Sequence, residues 1–248
     1  MGGTTLIDDK SWRLWVLPCS ILGLVFIFTG LYSYLVDIGP NKCEMTYMFE
    51  YPVYTKLKLP ARIQRNYPQY ALYAYSEGSY TYKVRRNEFS GNPVLFLPGN
   101  GGSYRQVRSL ASVSLRKSED ANLKKWFDYF SVDFNEELSG LAGSLLEKQT
   151  RFATSVIDHI LSLYPNGRRI ILVGHSMGGI VARAILSRGH ERIYLIYTQA
   201  TPHRSPPMAI DKDILAFYEQ MKIAEAGLKH FDTPIVSVSG GRRGNFDF

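Results

Sequence analysis

Cysteine is scarce. The 248 residues hold two, Cys19 inside an apolar run and Cys43 just after it, so no disulfide can form within the folded part downstream, and cysteine usage does not fix the compartment. No Asn-x-Ser/Thr sequon occurs either, so glycosylation is equally uninformative. Long blocks of one charge are missing. The formal net charge of +7 comes from basic residues in nothing longer than pairs, such as Arg85-Arg86, Lys124-Lys125 and Arg242-Arg243. Such a spread reads as a solvated surface, or as one drawn to anionic lipid headgroups. No basic helix, zinc-finger spacing or RNA-binding aromatic motif accompanies the charge, which argues against nucleic acid as a partner. The Gly-x-x-x-x-Gly-Lys-Ser/Thr phosphate loop is absent, no internal repeat is visible, and no metal or cofactor is expected.

What is present is an ordinary globular balance, 45% hydrophobic and 21% charged, in a chain long enough for one sizeable α/β core. Ahead of that core, Leu14 to Val36 carries no charged residue and is long enough to cross a hydrocarbon layer of roughly 30 Å. Lys10 and Arg13 precede it, Asp37 follows, and Trp12, Trp15, Tyr32 and Tyr34 fall where an interfacial aromatic belt would be. The pattern predicts a transmembrane helix over 14–36. A cleaved signal peptide is the alternative, although the run exceeds a signal core and no clear Ala-x-Ala site follows. Lys42, Lys56 and Lys58 on the far side leave only a weak charge bias. It favours residues 1–13 in the cytosol and a lumenal catalytic domain.

Residues 37–68 contain Pro40, Pro52, Pro60 and Pro68 among aromatics, which suits an irregular juxtamembrane connector. From residue 69 onward short apolar runs alternate with amphipathic ones. Strands are expected at Ala71–Tyr75, Tyr80–Val84, Val94–Leu97, Tyr129–Asp133, Arg169–Val173, Tyr194–Thr198 and Ile235–Val238. Ser103-Tyr104-Arg105-Gln106 is a capping-box signature opening a helix. Leu145, Leu146, Phe152, Val156, Ile157, Ile160 and Leu161 recur at helical spacing, ending at Pro165-Asn166-Gly167. Ile180, Ala184 and Ile185 mark a third helix. Strand, helix, strand in repetition predicts an α/β fold, a largely parallel sheet with helices on both faces.

One junction carries chemistry. Ile170-Ile171-Leu172-Val173 runs into Gly174-His175-Ser176-Met177-Gly178-Gly179 and then an apolar helix. Gly-x-Ser-x-Gly is common by chance, but between a strand and a helix it describes a nucleophile elbow, with the serine hydroxyl projecting from the carboxyl edge of the sheet. Ser176 is the candidate nucleophile, and the Met177 amide at the helix start is a candidate oxyanion donor. The second donor should come from the loop after an earlier strand. Leu95-Phe96-Leu97-Pro98-Gly99-Asn100-Gly101-Gly102-Ser103 supplies strand and loop, with Asn100 or Gly101 as the donor. His175 points elsewhere in such a turn and is read as structural.

Taken together, Asn41-Lys42-Cys43-Glu44-Met45, Tyr47-Met48-Phe49-Glu50-Tyr51-Pro52, Leu95 to Asn100, Gly102-Ser103-Tyr104, Phe130 to Leu138, Gly174 to Gly179 and Gln199-Ala200-Thr201-Pro202-His203 resemble the N-terminal part of the GPI inositol-deacylases. The connector and the Phe134-Asn135-Glu136-Glu137 run are not general α/β-hydrolase features. The resemblance implies a membrane enzyme of the endoplasmic reticulum that hydrolyses the acyl ester on the inositol of GPI-anchored proteins, linked to their export. Its partners would be those proteins, their acylated glycolipid and the membrane. The residues alone lead only to an ester hydrolase acting near a membrane. A catalytically silent lipid-binding module, and another lipase or thioesterase of the same fold, are the competing classes.

The resemblance also implies Gly-Gly-x-x-Asp after the strand at 235–238, then a catalytic histidine. Gly240-Gly241-Arg242-Arg243-Gly244 stands there instead and the sequence given ends at Phe248. Asp247 is a candidate acid, His203 is expected to be structural or part of a substrate loop, and the chain is expected to be a shortened form with little turnover.

Overall fold

In a computed structural model, the described residues are 11–37, 50–121, 126–165, 167–208, 211–227 and 233–239. The chain divides into two units, 1–46 and 47–248. The first contains α1 (Ser11–Asp37), with Pro18 inside it. Trp15–Ser33 has a mean hydropathy of 1.9 and none of its residues buried, so this helix is long and apolar enough to cross a membrane. Its Thr29 hydroxyl is satisfied within the helix by the carbonyls of Val25 (2.7 Å) and Phe26 (3.1 Å).

The second unit is built on β1 (Val53–Lys56), α2 (Ala61–Asn66), β2 (Ala71–Ser76), α3 (Tyr80–Arg85), β3 (Asn92–Leu97), a 3₁₀ turn (Tyr104–Val107), α4 (Arg108–Asp120), β4 (Phe127–Asp133), α5 (Gly143–Ser162), β5 (Ile170–His175), α6 (Met177–Ser187), β6 (Ile193–Gln199), α7 (Lys212–Gly227) and β7 (Ile235–Val238). The strands form one sheet ordered β1-β2-β4-β3-β5-β6-β7. β1 with β2 and β2 with β4 are antiparallel, and every other pair is parallel. The expected α/β-hydrolase architecture is what the chain adopts.

Burial follows the expected stripes. β3 and β4 are enclosed on both faces, as parallel strands under two helical layers must be. One face packs Leu95, Leu97, Phe130 and Leu172 against α5, α6 and α7. The other packs Val94, Phe96, Tyr129 and Val173 against Val107 and Ala111. On α5, six of the seven stripe positions are buried, among them Phe152, whose ring meets Tyr67, Tyr70 and Phe134 edge-on. Phe152→Ala should therefore cost about 3–5 kcal/mol, checked by denaturant unfolding.

Three stretches depart from expectation. Tyr80–Val84 is helical rather than a strand. Val84 is fully buried and the Tyr80 hydroxyl reaches buried Asp128, while Tyr82 between them is exposed, so the four-residue spacing of Tyr80 and Val84 outweighs the apparent alternation. Residues 53–66 are not an irregular connector, since β1 pairs with β2 from Val53↔Ser76 to Lys56↔Tyr73 and α2 follows. The folded unit thus begins before residue 69. Finally, α7 carries no strong periodic pattern, yet buries Ile214, Phe217, Tyr218 and Met221.

Candidate active site

The sheet order alone locates the site. From β3 the chain moves to β4 on one side, then crosses to β5 on the other. This reversal opens a crevice outside the carboxyl ends of β3 and β5, where open α/β sheets bind ligands. Registers Leu97↔Gly174 and His175↔Gln199 bring the loops after β3, β5 and β6 to that edge.

Ser176 occupies the crevice, half-buried, between β5 and α6, with φ 52° and ψ −123°. A side-chain-bearing residue held there stores of order 1–3 kcal/mol of strain. Its amide donates to the Gln199 carbonyl at 2.8 Å and its carbonyl accepts from Gly179 at 3.0 Å. The glycines around it answer to close approach. A Cβ on Gly174 would sit 2.4 Å from the Gly179 Cα, one on Gly178 2.0 Å from the Leu97 oxygen, and one on Gly179 2.0 Å from the Thr201 hydroxyl. A Cβ on Gly99 would lie 2.7 Å from that of Ser176, so the loop after β3 is seated directly on the serine.

Ser176, Met177 and the Asn100 loop are therefore assembled at one place. The Met177 amide stands at the first position of α6, where a helix offers no acceptor and its dipole is positive. In the loop, Gly101 donates its amide to the Glu137 carbonyl at 3.1 Å. That amide is committed, which leaves Asn100 as the remaining candidate in the loop. The Asn100 side chain accepts from the Gly140 amide at 2.8 Å. At the loop's far end Ser103 accepts from the Arg105 amide at 3.4 Å; the expected cap is present, although the first turn is 3₁₀.

Asp247 lies outside the described residues. Among the described residues, no histidine or carboxylate is hydrogen-bonded to the Ser176 hydroxyl. His203 is engaged elsewhere, with Nδ1 3.1 Å from Arg183 Nη1 and Nε2 2.9 Å from Thr198 Oγ1. Because guanidinium only donates, Nδ1 must accept, and the proton sits on Nε2. Arg183 is itself fixed by both oxygens of Glu225, at 3.0 and 2.6 Å. Burial, and secondarily the Arg183 charge, depress His203 to about 4, so it is neutral at pH 7 and has no nitrogen to offer a nucleophile.

A folded pKa below the unfolded value of about 6.5 means that His203 gives its full stability above the unfolded value. That contribution is lost as pH falls from about 6.5 toward about 4. His203→Gln should thus show a smaller fall in melting temperature between pH 7 and pH 4.5 than wild type. An equal fall would show that His203 is not held neutral.

Sequence reasoning passed over Gln199, which fixes the Ser176 amide, and Glu137 and Gly140, which hold the donor loop. The Phe134–Leu138 run was conspicuous in the sequence, but nothing local shows that its backbone receives a distant glycine.

Residues 88–246 match the PGAP1-like alpha/beta domain. Among curated relatives, the GPI inositol-deacylase of Mus musculus is 46% identical over 244 residues, covering 94% of this chain and 26% of its own length. That of Rattus norvegicus gives the same identity and coverage, and that of Xenopus laevis is 44% identical over 88% of this chain and 24% of its own length. The chain thus spans about a quarter of these relatives. On the match across 88–246 and the geometry at its centre, the chain belongs to the family of the PGAP1-like alpha/beta domain.

Proposed function

We propose that the chain carries the hydrolytic site of a GPI inositol-deacylase, with Ser176 as nucleophile and the amides of Met177 and Asn100 as the oxyanion hole. The observation that carries the reading is the strained Ser176 backbone at the strand-to-helix turn with Gly99 seated against it; relatives of that name add the substrate class. The Ser176 hydroxyl attacks the acyl carbonyl carbon, the carbonyl oxygen takes up charge between the two amides, and the bond from that carbon to the inositol oxygen breaks as the proton given up by Ser176 passes to that oxygen. Water then cleaves the acyl-serine.

The substrate is the acylated inositol of GPI-anchored proteins at the endoplasmic reticulum membrane, with the catalytic unit lumenal. An acylated glycolipid stays in the bilayer, so a tethered site meets it at high effective concentration. Over residues 14–36 the anchor is uncleaved. The protein should remain in membranes after alkaline carbonate extraction and retain the residues before Leu14; a mature chain starting beyond Val36 would identify a signal peptide instead.

The site is tested with a fluorophosphonate probe. Peptide mapping should place the adduct on Ser176. A folded protein that stays unlabelled where other serine hydrolases react would favour the silent lipid-binding alternative.

A further inference from the structure

We propose that Glu137 is a positioning residue, whose anchored side chain holds the donor loop after β3 in place over Ser176; this rests on the reading of Ser176 as nucleophile. Two struts cross from the loop after β4 to the loop after β3. The Glu137 carbonyl receives the Gly101 amide at 3.1 Å, and the Gly140 amide reaches the Asn100 side chain at 2.8 Å. They grip the backbone and the side chain around the Asn100 donor.

The loop providing the struts would not hold its shape unaided. Asn135 and Glu136 are consecutive non-glycine residues with φ of 57° and 53°, in a region side chains disfavour. The Asp133 carboxylate accepts the Asn135 amide at 2.9 Å, closing the first half of the turn. In the second half the only ionic anchor among the described residues is the Glu137 carboxylate, which sits 2.9 Å from Lys148 Nζ and accepts the Tyr70 hydroxyl. Its side chain is only 17% exposed. The Lys148 ammonium also lies over the Tyr70 ring, 4.7 Å from its centroid. Tyr70 is itself locked among Tyr67, Phe134 and Phe152. The path from the aromatic core through Glu137 to Gly101 is continuous, and it ends on the residue after the donor. A carboxylate drawn from solvent on a strained loop costs stability; fixing an oxyanion donor to within tenths of an ångström is what such rigidity achieves.

The test measures fluorophosphonate inactivation as a function of probe concentration in the detergent-solubilised protein. Glu137→Ala should lower the maximal inactivation rate roughly ten- to hundredfold with probe affinity little changed, as a misplaced donor does. Amides 99–102 should exchange hydrogen faster. Where Glu137→Ala also lowers the melting temperature, Tyr70→Phe, which removes one anchor and keeps the ring, carries the comparison with a smaller loss of the same kind. Wild-type rates in these variants would overturn the proposal while leaving Ser176 as nucleophile. If wild type does not react at all, the nucleophile assignment fails. The brace is then judged by exchange: unchanged protection of 99–102 in Glu137→Ala overturns it.

Discussion

In a version carrying the full length of its relatives, Ser176→Ala should abolish deacylation, with kcat lower on the order of 10⁶-fold, as when the nucleophile of a serine hydrolase is removed. No acyl-serine can form, and only binding and the two amides remain to lower the barrier. Folding should be unaffected. Alanine keeps the Cβ that already occupies the strained position, and the Ser176 backbone bonds to Gln199 and Gly179 do not involve the hydroxyl. The change in stability should stay within about 0.5 kcal/mol, a shift of about 1–2 °C in melting temperature for a chain of this size. Full loss of fatty-acid release at an unchanged melting temperature is the expected pair of readings. Retained hydrolysis would move the nucleophile elsewhere.

Gly178→Ala should do damage of another kind. Helix propensity alone favours alanine by about 1 kcal/mol. Sterics oppose it more strongly, because the new methyl would meet the Leu97 oxygen at 2.0 Å and the Leu97 carbon and Pro98 oxygen at 2.7 Å each. These are backbone atoms in the strand and loop at the centre of the sheet, so α6 must retreat. The overpacking cost of about 1–3 kcal/mol exceeds the propensity gain. Because Met177 opens the same helix, its amide retreats too, and a displacement near 1 Å is enough for a loss of about 10²-fold. A melting temperature lower by several degrees together with at least that loss in kcat is expected. A variant as stable and active as wild type would show that α6 does not sit against β3 in this way.

The parts that were legible in the sequence are those where sterics or burial leave few choices of residue. Gly174, Gly178 and Gly179 are demanded by atoms at 2.0–2.4 Å, so the elbow reads directly. The α5 stripe reads because a helix covering a sheet must present one apolar face. Prolines misled the reading of 53–66. Pro52 precedes β1 and Pro60 caps α2, positions where a missing amide costs little, so they punctuate elements rather than exclude them. The Tyr80–Val84 segment fits both periods, and only its packing against Asp128 decides. The commitment of Gly101 to Glu137 joins residues 36 positions apart and leaves no local trace.

Substrate choice is the most direct test of whether this crevice cleaves the acyl ester of an inositol glycolipid. A version carrying the full length of its relatives, in detergent and matched with its Ser176→Ala form, would be given inositol-acylated GPI, a triacylglycerol and an acyl thioester, and released fatty acid measured. Ser176-dependent release from the acylated GPI, in clear excess over the other two, is the predicted result. Equal or greater turnover of the triacylglycerol or thioester, with the acylated GPI left intact, would contradict it.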